Sequence, residues 1–101
     1  MKEQQYELIR KFLSGSFNYE FYTDGIFRAR RLINFSNQTK ENWKQIKLII
    51  QNRALEPGQA LTLVNHGANQ VIDENSDQEA YVWLDKMIDN IERTDDQIDE
   101  Y

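Results

Sequence analysis

The chain contains no cysteine, one proline and only four glycines among its 101 residues. Without cysteine there is no disulfide, no thiolate metal site and no thiol catalysis. The same absence fits a reducing compartment. Strand-rich domains of this size need more turn formers than Pro57, Gly15, Gly25, Gly58 and Gly67 supply. No stretch approaches the ~20 consecutive apolar residues of a membrane helix. Met1-Lys2-Glu3-Gln4-Gln5 leads into no apolar run of the secretory kind. The expectation is a cytoplasmic protein with no membrane contact. Phosphate loops, Gly-x-Gly-x-x-Gly and Gly-x-Ser-x-Gly are also missing. His66, the single histidine, has no nucleophile or carboxylate marked for it by a motif, and reads as a capping or loop residue. No enzymatic activity, cofactor or metal is expected.

What the chain does contain is core-forming material. Apolar residues make up 40% and include Trp43, Trp83, five Phe and five Tyr, too much for a disordered chain. Helical spacing dominates the pattern. Tyr6, Ile9, Phe12 and Leu13 define a first helix over about residues 3–14, with Gly15 as its end signal. Phe17 to Tyr22 fits one face of a short strand or of a helical turn, and a short helical or irregular segment is expected there. Asp24 is placed to cap a helix over 26–35 whose apolar side is Ile26, Ala29, Leu32 and Ile33. After a polar connector, 36–39, a helix over 40–53 turns Trp43, Ile46, Ile49 and Ile50 inward and Lys40, Lys44 and Lys47 outward. Glu56-Pro57-Gly58 breaks the chain before a short helix over 59–66. Ser76 followed by Glu79 is a capping box. It opens a helix over 77–93 with Ala80, Trp83, Leu84, Met87, Ile88 and Ile91 on one face. The predicted architecture is all-α: a single-domain bundle of four to five helices with short loops over 1–93, then an acidic tail, 94–101, that frays.

Charge is sorted along this chain. Residues 1–72 hold ten Lys and Arg against six Asp and Glu, a net of +4. Residues 73–101 hold eleven acids against Lys86 and Arg93, a net of −9. A negative field of that extent steers and holds a basic partner. The binding candidates are Asp85, Asp89, Glu92, Asp95 and Asp96, with Tyr81 as an anchor, and a second patch of Asp73, Glu74 and Asp77. Tyr19 and Tyr22 are further interface candidates. The oxygen side chains at 73, 75, 77 and 79 imitate a calcium loop. Gln78 stands where glycine belongs, however, and Leu84 where a bidentate glutamate belongs, so a helix start explains them better.

Arg28, Arg30 and Arg31 follow a cluster of aromatics, a combination that can hold single-stranded nucleic acid. The acidic total opposes that use. Pairing of these arginines with acids of the last helix is the simpler expectation.

Two segments, Tyr6-Glu7-Leu8-Ile9-Arg10-Lys11-Phe12-Leu13-Ser14-Gly15 and Asp77-Gln78-Glu79-Ala80-Tyr81-Val82-Trp83-Leu84, resemble immunity proteins of bacterial contact-dependent growth inhibition systems. The likeness extends over the whole length as a pattern of helices. It implies a cytosolic antitoxin that binds the toxic domain of a cognate effector, often a nuclease, and blocks its active site. The acidic third suits that role, because carboxylates can occupy a cleft shaped for phosphate. Two other readings stay open: a nucleic-acid-binding regulator using Arg28, Arg30 and Arg31, and a salt-sensitive structural adaptor or homo-oligomer.

Overall fold

A computed structural model describes residues 2–17, 21–72, 74–93, 95 and 97–98. Five α-helices succeed one another: α1 (Lys2–Phe17), α2 (Tyr22–Phe35), α3 (Asn37–Gln51), the short α4 (Gln59–Thr62) and α5 (Asp77–Glu92). A π-helical turn, Leu63–Gly67, continues α4. There is no strand among the described residues. The radius of gyration is 12.4 Å, close to the ~13 Å of one 100-residue domain. Helices α1, α2 and α3 pack on one another, and α5 lies against α2, α3 and α4.

Helix α1 runs two residues past Gly15, because Phe17 has core to fill. Its ring is fully buried and meets Tyr22 and Trp83 at centroid distances of 5.9 and 5.5 Å. Helix α2 accordingly starts at Tyr22, four residues earlier than the sequence suggests. Phe21 sits at the cap position without a side-chain bond, and Asp24 lies in the first turn instead of capping it. Gly25 follows because Phe17 packs against its Cα: an added Cβ would come 2.0 Å from Cδ1 of that ring.

The expected connector 36–39 is not a loop. Ser36 closes α2 with its N–H on the Leu32 carbonyl, 3.2 Å away. It opens α3 with its Oγ, which accepts the Thr39 N–H at 3.1 Å. One residue therefore makes the corner. The far end of α3 closes on Arg53 at φ 51, with Arg53 N–H on the Ile50 carbonyl and Ala54 N–H on that of Ile49. This double closure usually takes glycine, since a Cβ in the left-handed region costs roughly 1–2 kcal/mol.

The π turn widens the helix so that Leu63, Val64 and Gly67 all stay buried. Its free Gly67 carbonyl accepts the Ser14 hydroxyl of α1 at 3.3 Å. Helix α5 begins as the sequence predicts. Ser76 Oγ accepts the Glu79 N–H at 3.1 Å, while the Ser76 N–H goes to the Glu74 carbonyl instead of the Glu79 side chain. All six residues assigned to its inner face are buried.

In the tail expected to fray, Ile98 packs part-buried against the core and the Asp95 carbonyl accepts from Arg30 at 2.9 Å. These contacts tie Asp95 and Ile98 to the domain.

Candidate functional site

The outward stripe of α5 carries Gln78, Val82, Asp85, Asp89 and Glu92 at alternating spacings of four and three. The sequence brought these acids together, but left out what faces them. Asp85 receives both ends of the Arg53 guanidinium, at 3.0 and 2.7 Å. Arg53 also donates to the Ile50 carbonyl and lies 4.5 Å above the Tyr81 ring. The hydrogen bond that Arg53 donates to Asp85 raises the Arg53 pKa above its ordinary value. The strained backbone of Arg53 thus has a reason: the position needs a side chain that glycine lacks. Tyr81, proposed as an anchor, is half-buried beneath it, and burial pushes its phenol up despite an opposing backbone hydrogen bond at Leu55.

Glu92 is held from α3. The Trp43 indole donates to its Oε2 at 2.9 Å and Lys47 Nζ pairs with Oε1 at 3.0 Å. Burial pushes the carboxyl up, but these two donors outweigh it and hold Glu92 below the usual carboxylate range. A carboxyl whose folded pKa is depressed stabilises the fold above its unfolded pKa. That contribution fades as pH falls through the folded value. Glu92→Gln is therefore expected to lower the urea midpoint at neutral pH, with the difference closing as pH falls through the depressed folded pKa of Glu92. A difference that persists at low pH would remove ionisation as its cause.

Around this pair opens a cleft of about 460 Å³, lined by Arg30, Ile33, Asn34, Trp43 and Glu92 among others. Arg30 crosses it to close the end of α5. Its Nε donates to the Asn90 carbonyl at 3.2 Å, and its Nη1 to that of Asp95. A guanidinium there meets carbonyls that have no partner within the helix. Buried Asn90 completes the joint by donating from Nδ2 to the Tyr22 hydroxyl at 2.8 Å. Tyr22 is thus a structural contact between α2 and α5.

Asp77 bridges two helix starts. Its carboxylate accepts the Gly58 N–H at 2.6 Å and the Leu61 N–H at 3.1 Å, closing the first turn of α4. Gly58 takes φ 86, which explains the glycine after Pro57. Asp77 is thus occupied by two backbone donors, and no metal-ligating cluster exists among the described residues. Asp95 pairs with Arg93 at 3.2 Å, and the Arg93 hydrogen bond lowers its pKa. Glu74 and Asp89 are exposed and form no ion pair among the described residues. Asp73, Asp96 and Tyr19 lie outside the described residues.

Of the three arginines, Arg30 of α2 reaches the end of the last helix, but it binds backbone carbonyls there instead of the acids expected as its partners. Arg28 and Arg31 are exposed on α2. His66 is exposed in the last turn of the π segment. Sequence reasoning missed the acceptors of Lys47 and Arg53, and an arginine at position 53 gives no local signal of the left-handed turn that places it.

The chain matches no known protein family model, no curated protein and no solved structure at a significant level. No helix among the described residues is long and apolar enough to cross a membrane.

Proposed function

We propose that this protein is an immunity-type inhibitor that captures a basic toxin domain, a nuclease by preference, through the acidic surface of its C-terminal third. One observation carries the reading. The net charge of −9 in residues 73–101 becomes only −6 when the three cations reaching over from the first half, Arg30, Lys47 and Arg53, are counted with it. Internal pairing spends part of the field and leaves an excess facing outward at Asp89 and Glu74. The binding surface is accordingly narrower than the run of acids. Asp77, Asp85 and Glu92 act as its frame, and Asp89 and Glu74 supply free carboxylates. Complementary charge of this kind raises association rates towards about 10⁸–10⁹ M⁻¹s⁻¹ at low salt.

The test must avoid the structural pairs. Reversing Asp85 would break the Arg53 clamp and confuse folding with binding. The informative variant is Glu74→Lys with Asp89→Lys. The probe is the basic C-terminal domain of a large secreted protein encoded beside this chain. We expect a one-to-one complex, inhibition of the toxin, and association slowed about tenfold with a shallower salt dependence in the double variant. Unchanged association kinetics would sink the acidic-surface reading, and failure of the two proteins to form a complex would sink the immunity role. The nucleic-acid alternative is weakened by the engagement of Arg30 at the end of α5.

A further inference from the structure

On the other side of α2 the surface has the opposite character. A groove of about 220 Å³ runs between α1, α2 and the start of α3, lined by Leu8, Lys11, Gly15, Leu32, Thr39 and Asn42. Leu32, expected in the core, is 39% exposed here, and Phe35, one turn further along α2, is 86% exposed. Arg28, Leu32 and Phe35 fall at i, i+4 and i+7, with Arg31 beside them, so the outer face of α2 is apolar and basic together. Lys11, Arg31 and Lys40 form no ion pair among the described residues.

Gly15 is the informative residue. It lies within α1, where glycine costs roughly 0.5–1 kcal/mol relative to alanine. An added Cβ would meet nothing within 4 Å, in contrast to Gly25. It does not take the positive φ for which glycine is needed at a helix end. Nothing among the described residues accounts for it. Its absent side chain leaves the floor of the groove open to an incoming backbone.

We infer that this groove docks an acidic amphipathic segment of a protein partner. Its apolar side chains would lie over Gly15 between Leu8 and Leu32, and its carboxylates would meet Lys11 and Arg31. The charge of the rim selects the sign of the partner, and the open floor selects close backbone approach. This surface is independent of the acidic third and stands whether or not that third meets a toxin.

The experiment is an amide NMR titration of the full chain. The probe is a helical peptide of about 18 residues with one Leu and Phe stripe and glutamates elsewhere. A second peptide carries lysine in place of glutamate, and a third probe is oligo-dT. Saturable shifts at Leu8, Lys11, Gly15, Leu32 and Asn42 are expected with the acidic peptide. Gly15→Leu and Lys11→Glu should each weaken its binding about tenfold or more. The melting temperature of Gly15→Leu should not fall, which separates lost docking from lost folding. Equal binding of the lysine peptide, undiminished binding by Gly15→Leu, or no saturable shift at about 1 mM peptide would each overturn the inference. Stronger shifts of the same amides with oligo-dT would assign the face to nucleic acid, and shifts on diluting the chain alone would assign it to a second copy. Either result also overturns it.

Discussion

Replacing Gly25 by alanine is expected to destabilise the protein by about 3 kcal/mol, near the upper end of overpacking costs. The sign is the informative part. In an ordinary helix this change stabilises by about 0.5–1 kcal/mol. Here the new methyl would come 2.0 Å from Cδ1 and 2.5 Å from Cε1 of Phe17. That ring cannot swing aside, because it is fully buried and packed edge-on to Trp83. Either α2 must move off α1 or the ring must leave its rotamer. Thermal melts should show a drop of roughly 4–8 °C for each kcal/mol. A shorter side chain at position 17 makes room, so Phe17→Leu should cost less in the Gly25→Ala background than alone. A coupling of about 1–3 kcal/mol is expected from the double-mutant cycle. Additive effects, or a Gly25→Ala variant as stable as the parent, would show that the two helices do not meet in this way.

Trp83→Ala should cost more, about 3–5 kcal/mol, the usual range for an aromatic removed from a core. Trp83 is 1% exposed and is the shared partner of Phe17 and Tyr22, with centroids 5.5 and 5.6 Å away at steep angles. Its removal empties the junction of α1, α2 and α5. A domain of this size has about 5–15 kcal/mol of stability in total, so the variant would be partly unfolded if the parent lies at the lower end. Trp43 remains as the fluorescence reporter in that variant, on a different helix pair. Trp83→Phe keeps a ring against Phe17 and Tyr22 and should lose clearly less. Equal losses for the two substitutions would mean that ring packing contributes little.

The junction also shows which parts of the fold were legible in advance. Helix α5 could be placed to within a residue, because its cap and its apolar spacing agree. Its inner face needs no tertiary information beyond the existence of a core. The stretch around Phe17 and Tyr22 was ambiguous for a physical reason. Aromatics at spacings of two and four satisfy either period, and only the ring-against-glycine contact between α1 and α2 decides where each helix ends. Ser36 carried a usable signal, as serine is a favoured cap, yet its neighbours Asn37 and Gln38 look equally like a loop. Leu32 fits the apolar stripe of α2 by spacing and still faces outward, since only packing determines how wide a stripe a neighbour covers.

The candidate site divides in the same way. That the last third is acidic was plain from composition. Which acids are free was not, because the partners of Asp85 and Glu92 stand 32 and 45 residues away. Such pairs depend on how α3 is rotated against α5. Local sequence does not encode that rotation, and the packing of Trp43 and Ile50 does.

The order of charge along the chain has a consequence for its separate parts. Residues 1–72 by themselves carry a net charge of +4, with Arg30, Lys47 and Arg53 lacking the acceptors that residues 73–101 supply. The anionic segment 73–101 follows them and reverses the sign of the 101 residues together. A fragment that stops short of α5 is therefore a cation whose core lacks the cover of Trp83, Leu84, Met87 and Ile88, so the acidic segment completes the apolar packing and the charge balance together.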